Sequence, residues 1–217
     1  MKIQGIIFDL DGTLLNTIED LGDSVNEVRA LHGLPPLSPA QYKLKVGLGF
    51  KVLIEKSFPE KQLSESEMEI ALQKFQECYA RNYLKKTAPY PGIPDLLEGL
   101  QTMGIKLAVN TNKKQAYTEK LIQHNFPGID FRDIIGEQPA YPKKPDPAAA
   151  ISIINKMNLK SSEVIYIGDS KTDIETGRNA GLDTLGVLWG FRDEAELRSA
   201  GATHIVSRPD EILELVR

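Results

Sequence analysis

Ile3-Gln4-Gly5-Ile6-Ile7-Phe8-Asp9-Leu10-Asp11-Gly12-Thr13 is the stretch on which the reading of the fold turns. Its first half is short, apolar and β-branched, which suits a strand buried on both faces of a parallel sheet. Its second half gathers two carboxylates, a glycine and a hydroxyl where the strand ends. In open α/β sheets ligands bind beyond the carboxyl ends of the strands, so this is where chemistry is expected. Similar runs recur at Lys106 to Asn110, Val164 to Gly168, Thr184 to Leu188 and His204 to Val206. Between them lie amphipathic segments: Pro94 to Met103, Lys114 to His124, Asp146 to Met157, Thr172 to Ala180 and Asp193 to Ala200. Strand–helix alternation predicts an α/β fold with a doubly wound, Rossmann-like parallel sheet. Gly104, Gly181 and Gly201 fall where helix C-caps are expected.

Residues 17–86 break the alternation. Leu21, Val25, Val28 and Leu31 recur at helical spacing, as do Met68, Leu72, Phe75 and Tyr79, and no convincing strand intervenes. The segment reads as a helical insertion after the first strand, closed by Ala88-Pro89-Tyr90-Pro91-Gly92, a stiff hinge with one flexible joint. The expected organisation is a core of residues 1–16 and 87–217 with a helical domain of residues 17–86 inserted in it.

The 217 residues are 41% hydrophobic and 26% charged, ordinary for a globular protein, and the net charge of −4 argues against a nucleic-acid partner. Nothing approaches the roughly 18 apolar residues of a membrane span. The only cysteine, Cys78, cannot close an intramolecular disulfide, and a cytoplasmic location without a secretory signal is expected. A monomer or homodimer fits equally.

Four strand or helix ends carry polar residues: Asp9, Asp11 and Thr13; Thr111-Asn112-Lys113; Lys144 before Pro145; and Asp169-Ser170 with Asp173 one turn later. Gathered in one crevice, the carboxylates would repel one another and raise each other's pKa. A hard divalent cation relieves that repulsion, and Mg²⁺ suits oxygen ligands shared with a substrate phosphate. A carboxylate attacking a phosphate dianion also needs its charge offset, which Mg²⁺ and Lys144 would do. Asp11 could protonate the leaving oxygen and later activate water.

Asp9-x-Asp11-Gly12-Thr13, then Thr111, Lys144-Pro145 and Gly168-Asp169-x-x-x-Asp173, in this order, resembles the haloacid dehalogenase superfamily, most closely its phosphoglycolate phosphatase-like branch. The likeness extends over nearly the whole chain, through Tyr90-Pro91-Gly92 and Gly186-Val187-Leu188-Trp189-Gly190. It implies an inserted α-helical cap domain and a Mg²⁺-dependent phosphatase of a small phosphorylated metabolite, with 2-phosphoglycolate as leading substrate. By the same resemblance Asp9 is nucleophile and metal ligand. Asp11 is the acid/base and binds metal through its backbone carbonyl. Thr111 holds a phosphoryl oxygen with Asn112 assisting, and Gly12 and Thr13 help bind substrate. Lys144 neutralises nucleophile and phosphate, and Asp169 and Asp173 hold Mg²⁺. Asn16 departs from relatives that often carry Asp, outside these motifs.

Gly47-Leu48-Gly49-Phe50-Lys51 matches a cap loop that faces the active site in relatives, so Lys51 or Lys45 would meet a substrate carboxylate or second phosphate; the other reading is a plain helix start. The plainer reading of Asp169 and Asp173, as caps of the helix that follows, is disfavoured by the other motifs. Lys143 reads as a surface lysine and Cys78 as packing. His32, His124 and His204 are unpaired by spacing and read as structural. Trp189 reads as core or interface, with a place lining the site as the alternative. Competing functions are an inorganic pyrophosphatase or a sugar-phosphate mutase on the same core. From other classes come a phospho-receiver signalling domain, disfavoured by the insertion and the length, and a catalytically silent interaction protein.

Overall fold

The run at the start of the chain is strand β1, Gly5–Phe8, buried at every position. The computed structural model describes residues 2–61 and 63–216. The chain divides into two compact units, one built from its two ends, as far as Leu15 and from Pro89 onward, and one from Asn16–Ala88. Two short strands, β2 (Leu15–Asn16) and β3 (Ala88–Pro89), lie at the connections and form a two-stranded sheet. Between them come α1 (Ile18–Leu31), α2 (Pro39–Lys43), α3 (Phe50–Lys56) and α4 (Glu65–Asn82). The larger unit continues with α5 (Ile93–Thr102), β4 (Lys106–Lys114), α6 (Gln115–Asn125), β5 (Phe131–Glu137) and α7 (Ala148–Met157). It closes with β6 (Val164–Gly168), α8 (Lys171–Asn179), β7 (Asp183–Val187), α9 (Glu194–Ser199), β8 (His204–Val206) and α10 (Asp210–Val216).

The six-stranded sheet has the order β5-β4-β1-β6-β7-β8, and all its pairings are parallel. Strand order steps outward in both directions from β1, so the strand ends on either side of β1 flank a crevice where ligands collect. Register places Phe8 opposite Val109 and Ile167. Ile7, Ala108 and Tyr166, one residue back, face the other way and pack under Ala149, Ala150, Ile153 and Ile154 of α7. Burying each such side chain contributes about 1.5–3 kcal/mol. This packing sets the level at which the three central strands end together.

One strand of the sheet, β5, is not foreseen by an apolar run, and β4 is longer than its run. β5 reads Phe-Arg-Asp-Ile-Ile-Gly-Glu and is only partly buried, because it is an edge strand. β4 extends beyond its apolar run through Thr111, Asn112 and Lys113, all buried. The glycines expected after helices all have left-handed φ: 78° at Gly104, 72° at Gly181 and 88° at Gly201.

In the smaller unit, Leu21, Val25 and Val28 are buried as the helical spacing requires, but Leu31 is 71% exposed. It is the last residue of α1, where the chain turns away. Phe75 and Tyr79 are buried and stack at 5.6 Å, with Phe50 edge-on to both. Capping boxes start α2 (Ser38 with Gln41) and α4 (Ser64 with Glu67). Arg29 is fully buried and donates to the carbonyls of Pro35 and Ser57 and to the Glu60 carboxylate. Asp20, also buried, accepts from the amides of Lys86 and Thr87 at 2.8–3.0 Å. Cys78 is buried, and no described helix is long and apolar enough to cross a membrane.

Candidate active site

The site is built where β1, β4 and β6 end. Past Phe8 the ladder continues for one step, with the Asp9 amide donating to the Ile167 carbonyl at 2.9 Å. The chain then folds into a tight loop in which the amides of Thr13, Leu14 and Leu15 all donate to the Leu10 carbonyl, at 3.2, 3.0 and 3.0 Å. Gly12 makes the loop possible, since its φ is +93° and a Cβ there would lie 2.3 Å from the Asp169 carboxylate. Gly168 serves a neighbouring purpose. A Cβ on it would lie 2.2 Å from Cβ of Asp173, so only glycine lets Asp173 come in beside the strand ends.

Asp9, Asp169 and Asp173 are all buried and each offers an oxygen within 4.8 Å of the other two. Lys144 Nζ joins two of them, at 2.7 Å from Asp9 Oδ1 and 2.6 Å from Asp173 Oδ1. Asp169 accepts a 2.7 Å hydrogen bond from the Phe191 amide. Asp173 Oδ2 accepts from the amide and the hydroxyl of Ser170, at 3.0 and 2.6 Å. Asp173 therefore does both things its sequence position suggests: it anchors the start of α8 and it belongs to the carboxylate cluster.

Burial dominates the electrostatics. It pushes the Asp9 carboxyl up to about 7; Lys144 opposes the shift, and the charges of Asp173 and Asp11 add to it. Burial likewise raises Asp169 well above the carboxylate range, with Asp173 and Asp9 adding to the effect. Lys144 is also buried, which disfavours its charge, yet Asp173 and Asp9 outweigh this and hold it firmly protonated. Three buried carboxylates facing one buried ammonium are short of positive charge. An all-oxygen set in that condition fits a hard divalent cation, which takes a few carboxylates and completes its shell with water or phosphate oxygens.

The remaining residues surround this cluster. Asp11 lies outside the three-carboxylate group, and both its oxygens accept from Lys113 Nζ, at 2.9 and 3.0 Å. Asn112 grips the backbone of Lys144: its Oδ1 accepts from the Lys144 amide at 2.9 Å and its Nδ2 donates to the Lys144 carbonyl at 3.3 Å. Its side chain thus positions the lysine. Thr111 is buried, and its Oγ1 accepts from the Lys113 amide at 3.4 Å. Thr13 is fully buried and its Oγ1 has no partner among the described residues. The Thr13 carbonyl accepts from the Trp189 indole at 2.9 Å, so the half-buried tryptophan braces the loop. Lys143 points elsewhere, to Glu137 at 3.1 Å. Lys51 is an exposed residue of α3 in the smaller unit. Lys113 is the residue that sequence reasoning left without a role; the signal for it was its place beside Thr111 and Asn112 in the polar run that ends a core strand.

The haloacid dehalogenase-like hydrolase family matches residues 6–187, and the chain belongs to that family. It is 32% identical to a phosphoglycolate phosphatase of Psychrobacter arcticus, over 94% of this chain and 91% of the relative. It is 31% identical to an N-acetylmuramic acid 6-phosphate phosphatase of Pseudomonas aeruginosa, over 100% of this chain and 96% of the relative. A crystal structure from Lactobacillus delbrueckii subsp. bulgaricus superimposes with a TM-score of 0.91 at 31% identity, covering 100% of this chain and 99% of that one. The protein is a hydrolytic enzyme of this family, similar along its whole length to phosphatases.

Proposed function

We propose that the protein is a Mg²⁺-dependent phosphatase that hydrolyses a small phosphomonoester through an aspartyl-phosphate on Asp9. The observation that carries this reading is the buried cluster of Asp9, Asp169 and Asp173 with Lys144 bonded to Asp9. Mg²⁺ held by these three carboxylates, and by the backbone carbonyl of Asp11, would offset the charge of the transferring phosphoryl group. Asp9 attacks phosphorus; the bond to the leaving oxygen breaks as Asp11 gives that oxygen a proton. Water then attacks the aspartyl-phosphate and yields its proton to Asp11, and the O–P bond to Asp9 breaks to restore the carboxylate. Lys144, held by Asn112, keeps the Asp9 oxygen oriented throughout. Thr111 and Thr13 supply hydroxyls for phosphoryl oxygens, and Gly12 leaves the backbone open to close approach.

2-Phosphoglycolate is the leading substrate, since relatives named phosphoglycolate phosphatase match nearly the full chain. N-acetylmuramic acid 6-phosphate is the second, because a phosphatase of that substrate matches over 100% of this chain. Residues 17–86 act as a cap, and Lys51 reads the part of the substrate away from the phosphate. The test is phosphate release from a panel of phosphomonoesters containing both candidates, with Mg²⁺ or with excess EDTA. Release that needs Mg²⁺, with one candidate preferred by kcat/KM, supports the reading. Undiminished release in EDTA defeats the metal assignment. Lys51→Ala should raise KM for the preferred substrate while leaving p-nitrophenyl phosphate turnover nearly unchanged.

A further inference from the structure

We infer that Lys113 is a positioning residue for the second half of the reaction, holding Asp11 as an aimed carboxylate for the attack of water on the aspartyl-phosphate. This rests on the reading of Asp11 as the acid/base. The Lys113 side chain is wholly buried, whereas the carboxylate it grips is 14% exposed. The ammonium donates to both oxygens, at 2.9 and 3.0 Å, so it fixes the plane of the carboxylate as well as its place. The lysine comes from β4, two residues beyond Thr111, and its amide donates to Thr111 Oγ1 at 3.4 Å. That strand is paired with β1, whose end carries Asp11, and the buried ammonium is therefore anchored to the same framework as the loop it orients.

The cluster already has its own lysine. Lys144 serves Asp9 and Asp173, while Lys113 serves Asp11. Two buried ammonium groups thus serve three of the four carboxylates, while Asp169 accepts from the Phe191 amide. Lys144 sits with the nucleophile and is placed to act whenever charge builds on the phosphoryl group. Lys113 sits with the acid/base, and its hydrogen bonds to both Asp11 oxygens hold them in one place. In the second half-reaction the water oxygen bonds to phosphorus, its proton passes to Asp11, and the electrons of the broken O–P bond return to Asp9. The proton that Asp11 gains is the one it gives to the next leaving group. Aim matters most for the water, which has no other covalent tether, and misplacing a base by about 1 Å costs on the order of 100-fold.

The test uses p-nitrophenyl phosphate, whose leaving group departs with little help, so that phosphorylation of Asp9 and hydrolysis of the intermediate separate in rapid-quench kinetics. Lys113→Met should keep the burst of p-nitrophenolate while steady-state kcat falls roughly 10- to 100-fold and phosphoenzyme accumulates. Lys113→Arg should restore part of the rate. Placed on Asp11→Asn, Lys113→Met should add no further loss, because the group it acts through is gone. An equal further loss in that background overturns the proposal, as does a rise in KM with kcat intact. So does a parallel fall of burst and steady state with a lowered Tm. Wild-type turnover by Asp11→Asn alone would instead overturn the acid/base reading on which the proposal stands.

Discussion

Both units bury charge, and they treat it in opposite ways. In the helical unit each buried charge is satisfied where it lies. Asp20 accepts from the Lys86 and Thr87 amides, and Arg29 donates to two carbonyls and to Glu60. Neither has electrostatic work left to do, and each ties segments distant in sequence, α1 to the return connection and to the loops near Pro35 and Ser57. In the core, Asp9 and Asp173 share one ammonium, Asp169 beside them has none, and burial with mutual repulsion raises Asp9 and Asp169. Burying ions without matching partners is destabilising. A fold that tolerates it keeps an electrostatic demand that a bound cation would meet. The contrast separates charge that builds the molecule from charge reserved for chemistry.

The sharpest way to break this contrast is Asp9→Asn, which keeps the shape and removes the proposed nucleophile. Turnover should fall by at least about 10⁴-fold, the scale of losing a covalent nucleophile, while circular dichroism stays unchanged. Near-wild-type kcat would remove Asp9 from the chemistry. The helical unit should respond the other way round. Arg29→Met leaves the buried Ser57 carbonyl without its Arg29 donor, at about 1–3 kcal/mol for an unsatisfied group, and breaks the pairing with Glu60. Urea unfolding should show that loss, while kcat per folded molecule at low temperature holds. A stable Arg29→Met with a collapsed kcat would contradict the division.

A third, smaller effect lies in the pH dependence of the metal-free protein. Asp9 keeps its proton to about 7 when folded, against an ordinary carboxylate value of 3.8 when unfolded. Between those values the folded state binds the extra proton, so this group's contribution is fully present below about 4 and is lost as pH rises through about 7. In EDTA the Tm of the wild type should therefore drop between pH 5 and pH 8 by several degrees more than that of Asp9→Asn. Saturating Mg²⁺ should shrink the difference, because it supplies the charge that the cluster lacks. Parallel Tm profiles of the two proteins in EDTA would show that the cluster stores no such demand. The smallest effect is expected at Leu31, 71% exposed at the end of α1. Leu31→Gln should change stability by no more than about 0.5 kcal/mol, and a larger loss in thermal unfolding would mean that this end of the helix is packed.

Much of this was legible before any coordinates. The apolar run ending in Asp9 and Asp11, repeated at Val164 to Gly168 before Asp169, fixes a parallel sheet because only strands buried on both faces carry such runs. The insertion was visible as helical spacing where strands should have resumed, and helix ends were visible at Gly104, Gly181 and Gly201, whose φ values an L side chain resists. β5 was not legible, because an edge strand needs no continuous apolar face and its Arg132 and Asp133 read as loop.

Chain order and residue type by themselves determined the sheet and singled out Asp9, Lys144, Asp169 and Asp173, which the structure brings together. Those properties depend on local periodicity and on strand ends, which are written consecutively. Only the tertiary structure decided which charge faces which. It assigned Lys144 to Asp9 and Asp173, gave Lys113 to Asp11, and turned Asn112 onto the backbone of Lys144. It also showed that Gly168 must be glycine because Asp173 packs against it. These pairings join residues up to 135 positions apart. Coulomb interactions and steric contact depend on distance through space, and no local pattern in a chain carries that distance.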